Sequence, residues 1–357
     1  MRGRGVLGDI CEDDGPTHRR WMLASLWISA LGVVLLVVAV VFALRANGGG
    51  SGASDAAVSS PSAEPTPGAA ASVSRGQKGC VTQPSRCGYP DASNTGVVAG
   101  NSLRSVPADV TAGPGWHWDK RGWLEIDGSG AIIENLAVAG NVNVEASDVT
   151  IRDVRIAVSG DTFGISLRHA NNATIQDTEI AGSDATAGRL LVGVKDIYGD
   201  AVGTRVERVN VFHVATGIQI YQGLIADSYI HDVGYRDGDH TNGTTSNGSA
   251  EMLTIRHNTV LNENGQTDAI SLFQDFGVEA NRLIDDNLVG GGAYSVYGGA
   301  NPGKAATSNI RIINNRFTTK FFPNGGLYGP VTAFDPSGSG NLWSGNIWDE
   351  TGLPVGL

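Results

Sequence analysis

Cysteine is nearly absent from this chain: there are three in 357 residues. Two sulfurs, Cys80 and Cys87, stand at the edge of the main patterned region, too few for a structural metal site. Outside the cell, two such cysteines most simply pair and close a short loop. Positive charge is also scarce. The whole chain carries 25 Lys and Arg against 36 Asp and Glu. From residue 46 onward the balance is 20 against 32. A nucleic-acid partner needs a basic footprint, so none is expected. An anionic polysaccharide would need local cations, from clustered arginines or bound Ca²⁺. The plainer reading of the acidic surplus is solubility of an exported protein.

Long apolar runs are missing with one exception, Trp21 to Leu44, 24 residues that are enough to cross a bilayer. Arg19 and Arg20 precede it, which predicts a cytoplasmic tail over 1–20, a single-pass signal-anchor over 21–44 and export of the remainder of the chain. Cys11 then stays on the reduced side. The alternative is a secreted protein, cleaved after Val41-Phe42-Ala43, although signal cores usually hold about 7 to 15 apolar residues. Residues 45–79 are rich in Gly, Ser, Ala and Pro and read as a disordered linker. Residues 80–124, with Trp116, Trp118 and Trp123, read as a cap on the first unit of the patterned region, or as a platform for sugar rings. The patterned domain itself is placed at 125–357.

Nine octets fill that domain, apolar at their third and eighth places: AIIENLAV, VTIRDVRI, ATIQDTEI, TRVERVNV, GLIADSYI, LTIRHNTV, RLIDDNLV, IRIINNRF and NLWSGNIW. The third places run Ile133, Ile151, Ile175, Val206, Ile225, Ile255, Ile284, Ile312 and Trp343. The eighth run Val138, Ile156, Ile180, Val211, Ile230, Val260, Val289, Phe317 and Trp348. Each octet is short, β-branched and bounded by Gly, Asn or Asp, which excludes a helix. Places one and three share one strand face, as do six and eight, so the chain must bend at places four and five. A repeat of this length predicts stacked supersecondary units. Stacking at roughly 4.8 Å sets each residue on its equivalent in the next coil. Asn258, Asn287, Asn315 and Asn346 at the sixth place would then form a ladder that satisfies buried polar groups. Trp343 and Trp348 would plug the far end.

Second strands between the octets also align, with Gly217, Asn242, Asp268, Tyr294 and Val331 leading successive rungs. This sheet and the loop before it hold the densest unusual polar residues in the chain. Asp237, Asp239 and Asp268 offer hard oxygen ligands for Ca²⁺. Arg236, His240 and Arg256 are candidate bases, and Asp239 with Asp268 is a candidate carboxylate pair. Asn242, Gln274, Tyr294 and Tyr297 are candidate substrate contacts. The competing reading is that DGDHTNGTTSNG is a solvated loop whose Asp and Asn satisfy backbone amides.

The octets and the asparagine column resemble the right-handed parallel β-helix proteins, the superfamily that includes pectate lyases, over about residues 125 to 350. CGYPDASNTGVVAG, GGGAYSVYGG and NLWSGNIWDETGLPV are similar to segments of uncharacterised bacterial secreted β-helix proteins. The resemblance implies an all-β parallel β-helix of about nine coils and a role on polysaccharide, with a polysaccharide lyase as first reading. A glycoside hydrolase, a non-catalytic glycan-binding or adhesion module, and a structural cell-surface spacer are the alternatives. The chain departs from the superfamily in two ways. It has neither the clustered aspartates of the polygalacturonases nor a pectate-lyase catalytic segment. At His240-Thr-Asn-Gly243 it carries Asn242 where a His-x-Asp-Gly motif has aspartate.

Overall fold

The computed structural model describes residues 78–357. The expected tail, the Trp21–Leu44 anchor and the linker up to residue 77 lie outside the described residues. No helix among the described residues is long and apolar enough to cross a membrane.

The chain winds as a parallel β-solenoid of nine coils among the described residues. Every third-place residue pairs with its equivalent in the next coil, in one unbroken column from Ile133 to Trp343. The eighth-place column runs equally unbroken from Val138 to Trp348. Both columns line the core. Burial of each Val or Ile contributes on the order of 1.5–3 kcal/mol, which is why the octets dictate the winding. Together they make a 17-stranded sheet folded along a corner, and an 11-stranded sheet closes the coil.

The corner has a single cause. In all nine octets the fifth residue is left-handed: Asn135, Asp153, Asp177, Arg208, Asp227, His257, Asp286, Asn314 and Gly345, with φ between 48° and 69°. Six of the nine are Asn or Asp and one is Gly, the residues that tolerate this region best. From the fourth octet on, the sixth-place residue lies outside the strand pairing on either side of this turn. The asparagines replace the lost partner. The N–H of Asn258 donates to Asn287 Oδ1, that of Asn287 to Asn315 Oδ1 and that of Asn315 to Asn346 Oδ1, at 2.9–3.0 Å. Each Nδ2 also donates to a third-place carbonyl of the preceding coil. Ser228 continues the column, its hydroxyl accepting from the Val209 N–H. In the first two coils the sixth places are Leu136 and Val154, and there the strand runs on through the corner with these two residues paired directly.

The segment 80–124 divides in two. Residues 104–126 cover the first coil: Arg104–Val106 pairs with Leu136–Val138, and Trp116–Trp118 forms a hairpin with Trp123–Ile126. Trp116 is buried against the core there. Residues 79–103 are instead a strap laid along the solenoid from its last coil towards its first. The Gly79 N–H donates to the Asp349 carbonyl and that of Val81 to Asp349 Oδ2. Further on, Tyr89 meets Asp286, Gly96 donates to the Arg208 carbonyl, and Val98 donates to Asp153 Oδ1. Three of these corner partners are fifth-place residues. A Cys80–Cys87 disulfide closes the loop that starts the strap, and that loop packs on Leu261 and Leu288. At the other end Trp343 and Trp348 pack on Phe317, and the Trp343 indole donates to the Val355 carbonyl.

Candidate functional site

The 11-stranded sheet positions the site. One column of this sheet, Val194, Ile218, Thr244, Ile270, Val296 and Val331, is continuous in register and its apolar members join the core. The residue just before each of the first five is small: Gly193, Gly217, Gly243, Ala269 and Ser295. A Cβ at Gly243 would lie 2.2 Å from Val260 Cγ1, so the eighth-place core column requires a small residue here. Two outward tracks flank these columns. One carries Thr216, Asn242, Asp268 and Tyr294; the other carries Lys195, Gln219, Thr245, Ser271 and Tyr297. Contacts along and between the tracks confirm the shared face. Lys195 Nζ donates to Gln219 Oε1, Asn242 Nδ2 donates to Thr216 Oγ1 at 3.2 Å, and the Tyr294 and Tyr297 rings meet edge-on at 5.7 Å.

Asn242, Asp268 and Tyr294 are therefore direct neighbours on successive rungs. The alignment of the outer rungs differs from the sequence expectation: Thr216, not Gly217, pairs with Asn242, and Gly329, not Val331, pairs with Tyr294.

Asp268 is fully buried and neither of its oxygens has a hydrogen-bond partner among the described residues. Burial pushes its carboxyl well above the usual carboxylate range. The Ser271 hydroxyl beside it works the other way without reaching hydrogen-bonding geometry. Asn242 Oδ1 and the hydroxyls of Thr245 and Ser271 are equally buried and equally unpartnered. Such groups are rare in folded proteins and cost about 1–3 kcal/mol each. Tyr294 and Tyr297 stand one rung beyond. Phe273 packs on Tyr297 at 5.4 Å and the exposed Tyr328 on Tyr294 at 5.8 Å. Burial first, then the Asp268 carboxyl, push the Tyr297 hydroxyl up.

The other expected site residues do different work. Asp239 is committed to Arg189, whose side chain is only 3 % exposed: Nε donates to Oδ2 at 2.7 Å and Nη2 to Oδ1 at 2.6 Å. The Arg236 N–H donates to the same Oδ2. This bidentate clamp ties the 236–239 turn to the start of the strand two coils before it and engages both Asp239 oxygens. Asp237 and His240 are exposed in that turn. The Arg236 side chain reaches towards Asp161 at 3.5 Å. Arg256 belongs to the other sheet, between Ala226 and Asp285. Gln274 donates to the Gly299 and Ala305 carbonyls and holds a loop. Among the described residues no group of three or more His, Cys, Asp or Glu side chains gathers to hold a metal ion, so Asp237, Asp239 and Asp268 do not form the expected Ca²⁺ cage.

Lys195, Thr216, Gln219, Thr245 and Ser271 were not legible as site residues. Their signal is positional: each stands one residue past or two before the inward column. Lys195 is notable because burial pushes its ammonium down to about 8.

No known protein family matches this chain, and no curated protein or solved structure matches it either.

Proposed function

We propose that the outer face of the 11-stranded sheet, centred on Asp268, is a glycan-binding groove, and that the protein is an exported solenoid that holds polysaccharide at the cell surface. One observation carries this reading: the unpartnered polar groups of Asn242, Thr245, Asp268 and Ser271 lie in register beside tyrosine rings. Sugars offer what such a face lacks, hydroxyls to pair with buried polar atoms and a C–H face to lie on aromatic rings. The regular rung spacing of roughly 4.8 Å suits a repeating polymer laid along the axis. A right-handed winding is part of the proposal, since parallel crossovers adopt that hand almost without exception. Export and a retained Trp21–Leu44 anchor are part of it too.

Catalysis is the second reading, favoured by the burial that pushes the Asp268 carboxyl upward, the direction a general acid needs. Lyase chemistry would need a base and a cation beside one uronate. Asp239, the expected partner carboxylate, is taken by Arg189.

Affinity electrophoresis of the full-length protein through gels containing a panel of polysaccharides tests the groove. Retardation that a Tyr294→Ala, Tyr297→Ala variant loses supports it. Retardation unchanged in that variant, or absent from every gel, ends it. Release of unsaturated sugars, read by ultraviolet absorbance, would move the assignment to a lyase.

A further inference from the structure

The chemistry of the floor goes further than the glycan reading, on which this inference rests, and selects a class of sugar. Asn242 Oδ1 and an Asp268 oxygen are acceptors without donors, while the hydroxyls of Thr245 and Ser271 can turn either way. Asn242 is 7 % exposed and Asp268 0 %. The influences on the Asp268 carboxyl are its own burial and the Ser271 hydroxyl. Those on the adjoining Tyr297 are burial, Asp268, Tyr294 and Tyr328. Of the residues on the two outward tracks, Lys195 alone is basic. Lys195, on the same face, stands three rungs before Asp268, roughly 14 Å along the axis, and its Nζ is engaged by Gln219.

We propose that this site takes a neutral, hydroxyl-rich sugar unit, whose hydroxyls donate to Asn242 Oδ1 and the Asp268 carboxyl, and that it rejects uronates. A uronate carboxylate placed here would leave the Asn242 Oδ1 acceptor without a donor and would be desolvated against a low-dielectric wall, with the one basic side chain of the two tracks roughly 14 Å away and already paired. A neutral sugar brings the donors that the floor is short of. Entry requires the covering rings to turn outward. Tyr294 and Tyr297 are only half-buried and Tyr328 is 68 % exposed, so these rings lie at the surface and can turn without unpacking the core. Once turned, they present their faces to the sugar ring.

Calorimetry of the full-length protein with size-matched oligosaccharides tests the class. The neutral set holds gluco-, manno-, xylo- and arabinogalacto-oligomers; the acidic set holds oligogalacturonate and oligomannuronate, each with and without Ca²⁺. A neutral oligomer is expected to bind at least roughly tenfold tighter than either uronate, with no effect of Ca²⁺. Asp268→Asn, which still offers a donor and an acceptor, should stay within about threefold of the wild type, and Asp268→Leu should lose more than about tenfold. Melting curves of both variants confirm folding. A uronate preference, a Ca²⁺ requirement, or wild-type affinity in a folded Asp268→Leu variant overturns the ligand class and leaves the groove standing. If no oligomer of either kind binds, the groove falls with it.

Discussion

The Tyr89 hydroxyl donates to Asp286 Oδ1 at 2.9 Å across 197 residues of sequence, and the same ring stacks on His257 at 5.5 Å. Both partners are fifth-place corner residues, in consecutive coils. Tyr89 is fully buried and so acts as the central rivet of the strap. Removing the hydroxyl alone, in Tyr89→Phe, should cost about 1 kcal/mol. Tyr89→Ala should cost about 3–5 kcal/mol and release hydrogen-exchange protection along 79–103. Urea melts matching the wild type in both variants would show that the strap adds no stability.

His257 adds a pH dependence to the same corner. Its imidazole pairs with Asp227 at 2.6 Å, and this hydrogen bond, opposed by burial, raises the histidine pKa. Burial pushes Asp227 up, but the His257 hydrogen bond and charge outweigh it and leave the carboxyl depressed. A raised folded pKa means stability fully present below the unfolded value near 6.5 and lost as pH rises through the folded one. The depressed aspartate sets the lower limit, its share fading as pH falls below about 4. Asp227 is 39 % exposed, so screening keeps the pair near the surface scale of about 0.5–1 kcal/mol. His257→Gln should therefore lose about that much at pH 5.5 and little at pH 9. An equal loss at both values would assign the effect to packing against Tyr89.

The asparagine column makes a sharper demand. Asn287 accepts from the N–H and Nδ2 of Asn258 through one oxygen, and donates to the Ile255 carbonyl and to Asn315 Oδ1. Asn287→Ala strands the buried Asn258 N–H and should cost about 2–4 kcal/mol. Asn287→Ser should recover part of this, because Ser228 already serves the Val209 N–H in the same column. Asn346→Ala strands the Asn315 N–H in the same way and should cost a comparable amount. Losses well below about 1 kcal/mol at both positions would mean that the column does not act through its rung-to-rung bonds.

Some of this architecture is written locally and some is not. The octets were legible in full because each place has one environment in every coil: core at three and eight, a left-handed turn at five. The 11-stranded sheet is written more faintly, since its inward column alternates with Gly and Ala and its register shifts between Leu190 and Val192. The rungs of Asn242, Asp268 and Tyr294 were aligned correctly because the coils between them are of nearly equal length. The flanking rungs slipped where the loops change length. The commitment of Asp239 was hidden for a different reason: Arg189 lies 50 residues upstream, at a place no periodicity marks. The strap has no repeating apolar pattern because its apolar contacts gather at one place, Cys80 to Tyr89 on Leu261 and Leu288, while Gly96 and Val98 are held through backbone N–H groups that any sequence can supply.

Asp268 supplies the prediction that bears most directly on the groove. Its folded pKa is raised, the reverse of a paired aspartate, so the folded protein retains a proton that the unfolded chain releases above about pH 4. Stability is thereby lost as pH rises from the unfolded pKa towards the folded one, and the penalty is fully present above the latter. Asp268→Asn removes the ionisation and keeps the shape. It should raise the melting temperature at pH 7 by at least about 2 °C, the equivalent of roughly 1 kcal/mol in a domain of this size. Near pH 3, where the carboxyl is protonated in both states, the gain should vanish. A variant less stable than the wild type at pH 7, or a gain independent of pH, would mean that Asp268 is ionised and partnered in the folded protein, and a neutral floor beneath the tyrosines would have to be abandoned.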